Sequence, residues 1–214
     1  DREQGAPKLA LVPSRQARVS HRRDLFSLTS AIPVRSWEGE LALSTQAIAA
    51  ESVIDDPLTE LGGLAEQTRT PGERVEQTAQ ASQRLGTRLR LVEKVGVAID
   101  RLRRLERHTG VLEPELTARR ASTRLAVAAE YGVTDSVFVG ATGAISCVGT
   151  SLGALQLCDA IRDSGRLSLS YRKRSYELYG NLGRYHREPT LSELYGASLL
   201  VRGEEELLPE VGVS

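Results

Sequence analysis

Apolar residues between Val75 and Leu105 recur every three or four positions: Val75, Ala79, Leu85, Leu89, Val92, Val95, Ile99, Leu102 and Leu105. That spacing predicts an amphipathic helix over residues 72–109, with possible kink points at Gly86 and Gly96. Its start is marked by Thr70-Pro71-Gly72-Glu73, which reads as a capping box with proline at the first helical position. Upstream, Leu43, Ala47, Ile48 and Ile54 fit a helix, and Asp56 before Pro57 reads as an N-cap for another. Downstream, Leu116, Ala121, Leu125 and Ala128 share a helical face that Gly132 would close.

Two regions break that pattern. Residues 1–40 carry strand-like runs, "KLALV" and "AIPVRSWEGELAL", and predict an extended N-terminal arm with a hairpin anchored by Trp37. Residues 136–158 hold no charge between Asp135 and Asp159. As a helix that segment would reach roughly 34 Å, enough for a hydrocarbon core of about 30 Å. Gly140 with Ala144, and Gly149 with Gly153, are small-residue pairs that would let helices pack closely. Thr142, Ser146 and Thr150 recur at intervals of four.

The expected fold is therefore mostly α. It has an extended arm (1–40), an amphipathic helical hairpin or bundle (41–135), a small-residue hydrophobic segment that is a candidate single transmembrane helix (136–158), and a basic, Tyr-rich helical C-terminal region (159–214). In the last of these, Thr190-Leu191-Ser192-Glu193 is a second capping box, opening a helix through Leu194, Tyr195 and Leu199 that Gly203 would stop.

Composition adds little to this picture until charge is followed along the chain. The net charge is +0, so no global field draws the protein to nucleic acid or anionic membrane. Residues 36–82 hold nine acids and two bases, whereas residues 84–107 hold eight bases and three acids. Such segments suit docking on protein neighbours. Trp37, Arg101, Arg104, Tyr171 and Tyr176 are the candidate interface residues. Other protein subunits and membrane lipid are the expected partners, and nucleic acid is not. On one helix Cys147 and Cys158 would stand roughly 16 Å apart, beyond disulfide reach. The absence of Met at position 1 suggests processing, with an organellar, membrane-associated location as the expectation.

Candidate chemistry is sparse. Gly149-Thr150-Ser151-Leu152-Gly153 satisfies G-x-S-x-G, and "VGTSLGA" resembles the nucleophile elbow of α/β-hydrolases. That resemblance implies Ser151 as nucleophile and His186 as base, with Glu177 or Glu188 orienting the histidine. "VFVGATGAIS" resembles the glycine-rich opening of short-chain-dehydrogenase-like Rossmann domains, with Ser146 where the third glycine stands. "HTGVLE" and "AAEYGVTDSV" resemble the C-terminal region of Clp protease subunits, but the serine segment follows them here where in that family it precedes them. His21, His108 and His186 show no metal-ligand spacing. No cofactor or metal is expected. The functional expectation is a non-enzymatic structural or accessory subunit of a larger, membrane-bound assembly; the alternative is a divergent serine hydrolase using Ser151.

Overall fold

A computed structural model describes residues 2–5, 16–58, 60, 66–108, 111–152, 158–196 and 203–214. Among them ten strands form one antiparallel sheet in which each pairs with the next along the chain. They are β1 (Arg2–Gly5), β2 (Arg18–Val34), β3 (Gly39–Asp55), β4 (Gln67–Leu85), β5 (Leu89–His108), β6 (Val111–Thr134), β7 (Val137–Leu152), β8 (Ala160–Lys173), β9 (Tyr176–Arg187) and β10 (Glu210–Val213). One short helix, α1 (Leu191–Tyr195), lies between β9 and β10.

The mostly α expectation is overturned. The presumed helix over 72–109 is β4 and β5, and Gly86, read as a kink, is the turn between them with φ of 72°. Thr70 and Glu73 are strand residues, not a cap. Pro71 leaves a mark nonetheless. It has no N–H to give, and the β4–β5 ladder skips from Arg69↔Leu105 to Gly72↔Leu102. The uncharged 136–158 segment holds β7, so no transmembrane helix forms there, and no helix among the described residues is long and apolar enough to cross a membrane. The hairpin anchored near Trp37 does form: β2 and β3 are joined through a 3-10 turn at Arg35–Trp37. The second capping box forms as well. The Thr190 hydroxyl accepts from the Glu193 amide and the Glu193 carboxylate accepts from the Thr190 amide.

The chain exposes 14636 Å², where a compact monomer of 23.3 kDa would expose about 9,700 Å². A single layer of long strands accounts for the excess, because most residues have no second layer to cover them. Among the described residues a small apolar cluster is made by Leu102, Ala118 and Leu191, with Leu116 and Tyr195 against it.

Strand alternation divides this layer into two unlike faces. One face is apolar. Leu43, Ala79, Val95, Leu125 and Ile145 stand in a single row across β3 to β7. Most of these large side chains are bare, with Leu125 and Ile145 each 58% exposed. The opposite face is polar and carries α1. Along β5 one face reads Leu89, Leu91, Glu93, Val95, Val97, Ile99 and the other Arg90, Val92, Lys94, Gly96, Ala98, Asp100, Leu102, Arg104.

The two ends of the sheet differ too. Residues 35–38, 86–88, 135–136 and 174–175 make short turns at one rim. The opposite rim has the connections 56–66, 109–110, 153–159 and 188–209. There Cys147 and Cys158 form a disulfide with Cα atoms 5.4 Å apart, since antiparallel folding of the chain brings together what a helix would separate.

At the start of β3 a Cβ on Gly39 would overlap the Ser82 carbonyl oxygen and the Trp37 ring. Gly39→Ala should therefore cost about 1–3 kcal/mol. Urea unfolding of the full chain in detergent should show a lower midpoint; an unchanged midpoint would mean the close approach is not needed.

Candidate functional site: the polar face and its clasped helix

The polar face is ordered by cross-strand pairs. Arg74, Asp100, Arg120 and Thr150 occupy one row from β4 to β7. Arg74 Nη1 donates to Asp100 Oδ1 at 3.1 Å, and its Nη2 donates to Glu76 at 2.9 Å. Arg120 is 8% exposed; its Nε donates to Thr150 Oγ1 at 3.2 Å and its Nη2 donates to the Pro189 carbonyl. A buried guanidinium thus holds the segment that leads into α1.

Two further arginines complete the clasp. A register shift between Arg104 and Leu105 makes Glu115 of β6 an extra residue. A bulge of this kind re-aims a side chain. Here Glu115 receives Arg104 through Nε and Nη2 at 2.6 and 2.7 Å, while Arg104 Nη1 donates to the Tyr195 carbonyl at 3.3 Å. Arg187 of β9 donates to Glu193 at 3.1 Å and to Glu210 of β10 at 2.8 Å. With Leu191 seated on Leu102 and Ala118, α1 is fixed against the polar face near the loop rim.

Electrostatics at this rim follow from those contacts. The hydrogen bond from Arg104 holds Glu115 below the usual carboxylate range. Neighbouring Glu106 is pushed up by its hydrogen bond with Glu115 and by burial. Glu193 is held down, first by the Thr190 amide and then by Arg187, and Glu210 is held down by Arg187.

The residues proposed from sequence are scattered over this frame. Arg104 belongs to the clasp. Arg101 is on the other face, with Nη1 3.9 Å from Glu73. Trp37 sits in the turn after β2, and the Tyr171 and Tyr176 rings flank the β8–β9 turn with centroids 6.2 Å apart. Gly140 and Ala144 point to the polar face and Gly149 to the apolar one, so none of them packs helices. Gly153 lies outside the described residues.

Ser151 and His186 are not brought together. Ser151 pairs with Arg119, and its buried hydroxyl has no hydrogen-bond partner among the described residues. His186 pairs with Val211, and its Nδ1 meets the Asp163 carbonyl. Asp163 is opposite Ile145, six residues before Ser151 on β7, roughly 20 Å along the strand. The strand-to-helix elbow and parallel sheet of a hydrolase or Rossmann domain are absent among the described residues. No group of three or more His, Cys, Asp or Glu side chains there could hold a metal ion. The Arg74, Arg120 and Arg187 contacts were missed from sequence, because their partners lie on other strands or elements or were not recognisable from local spacing.

The architecture is that of an up-and-down antiparallel β-barrel wall, apolar on one face and polar on the other. Comparison with solved structures agrees: the chain is similar to the copper transporter OprC, with a TM-score of 0.68 and 13% identity over 93% of this chain. It spans 36% of that protein's length, and at this identity the likeness is one of fold. The sequence matches no protein-family model and no curated protein.

The carboxylate shifts give a pH dependence for the clasp. Because Glu193 and Glu210 have lowered pKa values, their contribution is complete above the ordinary carboxylate value near 4.3. It is lost as pH falls through their lower folded values. An NMR titration should show the Glu193 amide moving in that acidic window, and Arg187→Gln should move the midpoint upward. An unchanged midpoint would mean Arg187 does not hold the helix.

Proposed function

We propose that this chain is part of the wall of a membrane-spanning β-barrel, a non-enzymatic element whose apolar face meets lipid and whose polar face lines a passage. The observation that carries the reading is the apolar face and its limits. From the turn rim, apolar side chains dominate that face from Val34 to Phe26 in β2, Leu41 to Ala49 in β3, Leu89 to Ile99 in β5 (Glu93 being the one charge within these runs) and Val133 to Ala121 in β6. Charges replace them beyond: Asp24 and Arg22, Glu51, Arg101, Arg119. Runs of roughly ten residues, tilted by about 45°, cover the apolar band of about 25 Å that such barrels present.

The rims fit the same reading. Trp37, Tyr131, Tyr171 and Tyr176 gather at the turn end, where ring and hydroxyl or indole N–H suit the lipid–water boundary. Short turns at one rim and longer connections at the other, with 109–110 as the exception here, are usual in these barrels. The disulfide fits a loop rim in an oxidising compartment.

The edges supply the partner. β1 pairs with β2 only at Arg18–His21, and β10 with β9 only at Arg184–Arg187. Most of the outer edges of β2 and β9 thus carry no strand among the described residues. Hydrocarbon offers no water to satisfy such groups, so further strands must complete the ring. A complete ring with a polar interior suits movement of a solute, in keeping with a neighbour named as a transporter. That neighbour's cargo is not carried over.

The test places arginine on each face. In the complete barrel that contains this chain, folded in lipid vesicles, Leu125→Arg on the apolar face should lower folding stability by about 2–4 kcal/mol. Thr142→Arg, on the polar face, should change it little. Urea titration followed by heat-modifiable electrophoretic mobility reads both; equal costs would refute the assignment of the faces.

A further inference from the structure

Midway along the polar face, away from the clasp, a concavity of about 360 Å³ lies over β4, β5 and β6. Arg74, Lys94 and Arg124 line it, with Glu76 as its only acid and Thr78 and Ser122 as its hydroxyls. Glu76 is already neutralised by Arg74, which also holds Asp100.

Lys94 and Arg124 have no acidic partner among the described residues. Lys94 stands opposite Ala126, and Arg124 opposite Gly96. They are diagonal neighbours, so their Cα atoms are roughly 7–8 Å apart. Gly96 brings no side chain between Thr78 and Arg124 in this row, and on its other side Arg124 is paired with Ser146 of β7. β7 brings no charge to this face, so nothing on it competes for the two cations.

We propose that Lys94 and Arg124 form an oxyanion-binding subsite on the polar face, taking a phosphate- or carboxylate-bearing solute. Lys94 supplies a point charge and Arg124 a planar fork that matches two oxygens of one anion. The Thr78 and Ser122 hydroxyls can donate to the remaining oxygens. The proposal rests on the polar face being the lining of a passage, because only there would a solute meet these side chains.

The probe is inorganic phosphate, added to the full chain folded in detergent and followed by 31P line broadening. Broadening should saturate, weaken with added chloride, and fall at least tenfold in apparent affinity in the Lys94→Gln/Arg124→Gln double variant. Arg101→Gln, which removes a charge from the other face, should bind as the parent does. Equal binding by the double variant and the parent, or no saturable broadening with the parent, would overturn the subsite. The urea and mobility assay in vesicles is run on the same proteins. A chain that folds there with the expected face asymmetry but ignores phosphate loses only the subsite; one that fails that assay loses the wall reading first.

Discussion

From β3 to β8 the strands pair on both sides and satisfy their backbone N–H and C=O groups on their neighbours, and that ladder rather than a packed interior holds the chain together. The consequences run through the rest of the molecule. A sheet one layer thick cannot hide its apolar side chains behind a second layer, so Leu125 and Ile145 stay bare. A proline with strands on both sides loses a pair on one of them, as Pro71 does towards β5. The sheet's turns must be tight where strands reverse at once, which is why Gly86 adopts a left-handed conformation.

The same constraint decides what each face can do. The apolar face has nothing of its own to bury against, and hydrocarbon is the medium that suits it under the proposed reading. The polar face is stabilised differently, by arginines that reach across strands. Arg120, Arg104 and Arg187 each join the sheet to the segment around α1, so a five-residue helix too short to stand alone is held in place. Away from that clasp the cations of the face have fewer acids to answer them, which sets apart the region around Lys94 and Arg124.

The helical expectation failed for an identifiable reason. A spacing of four residues is a multiple of both the strand period and, nearly, the helical turn, so Val75 with Ala79, or Val95 with Ile99, fits either. The intervals of three came from mixing faces: Val92 and Leu102 belong to the polar side, Val95 and Leu105 to the apolar one. Thr142, Ser146 and Thr150 show the same ambiguity, since all three lie on one face of β7. Their regular spacing suggested a helix, while Thr150 in fact receives Arg120 from the next strand.

What the sequence determined by itself was local. The run around Trp37 specified a hairpin because Pro33 and Gly39 interrupt alternating residues, and Thr190 with Glu193 specified a helix start because the reciprocal cap needs only those two side chains. The absence of charge from Ser136 to Cys158 was legible too, although not the element that carries it. Tertiary structure alone decided the rest. Which residues share a face depends on a period of two that becomes unambiguous only once each strand has a neighbour in register. The Cys147–Cys158 bridge depends on the chain folding back on itself. The clasp joins residues up to 91 positions apart, as in Arg104 to Tyr195, and no local pattern encodes such a contact.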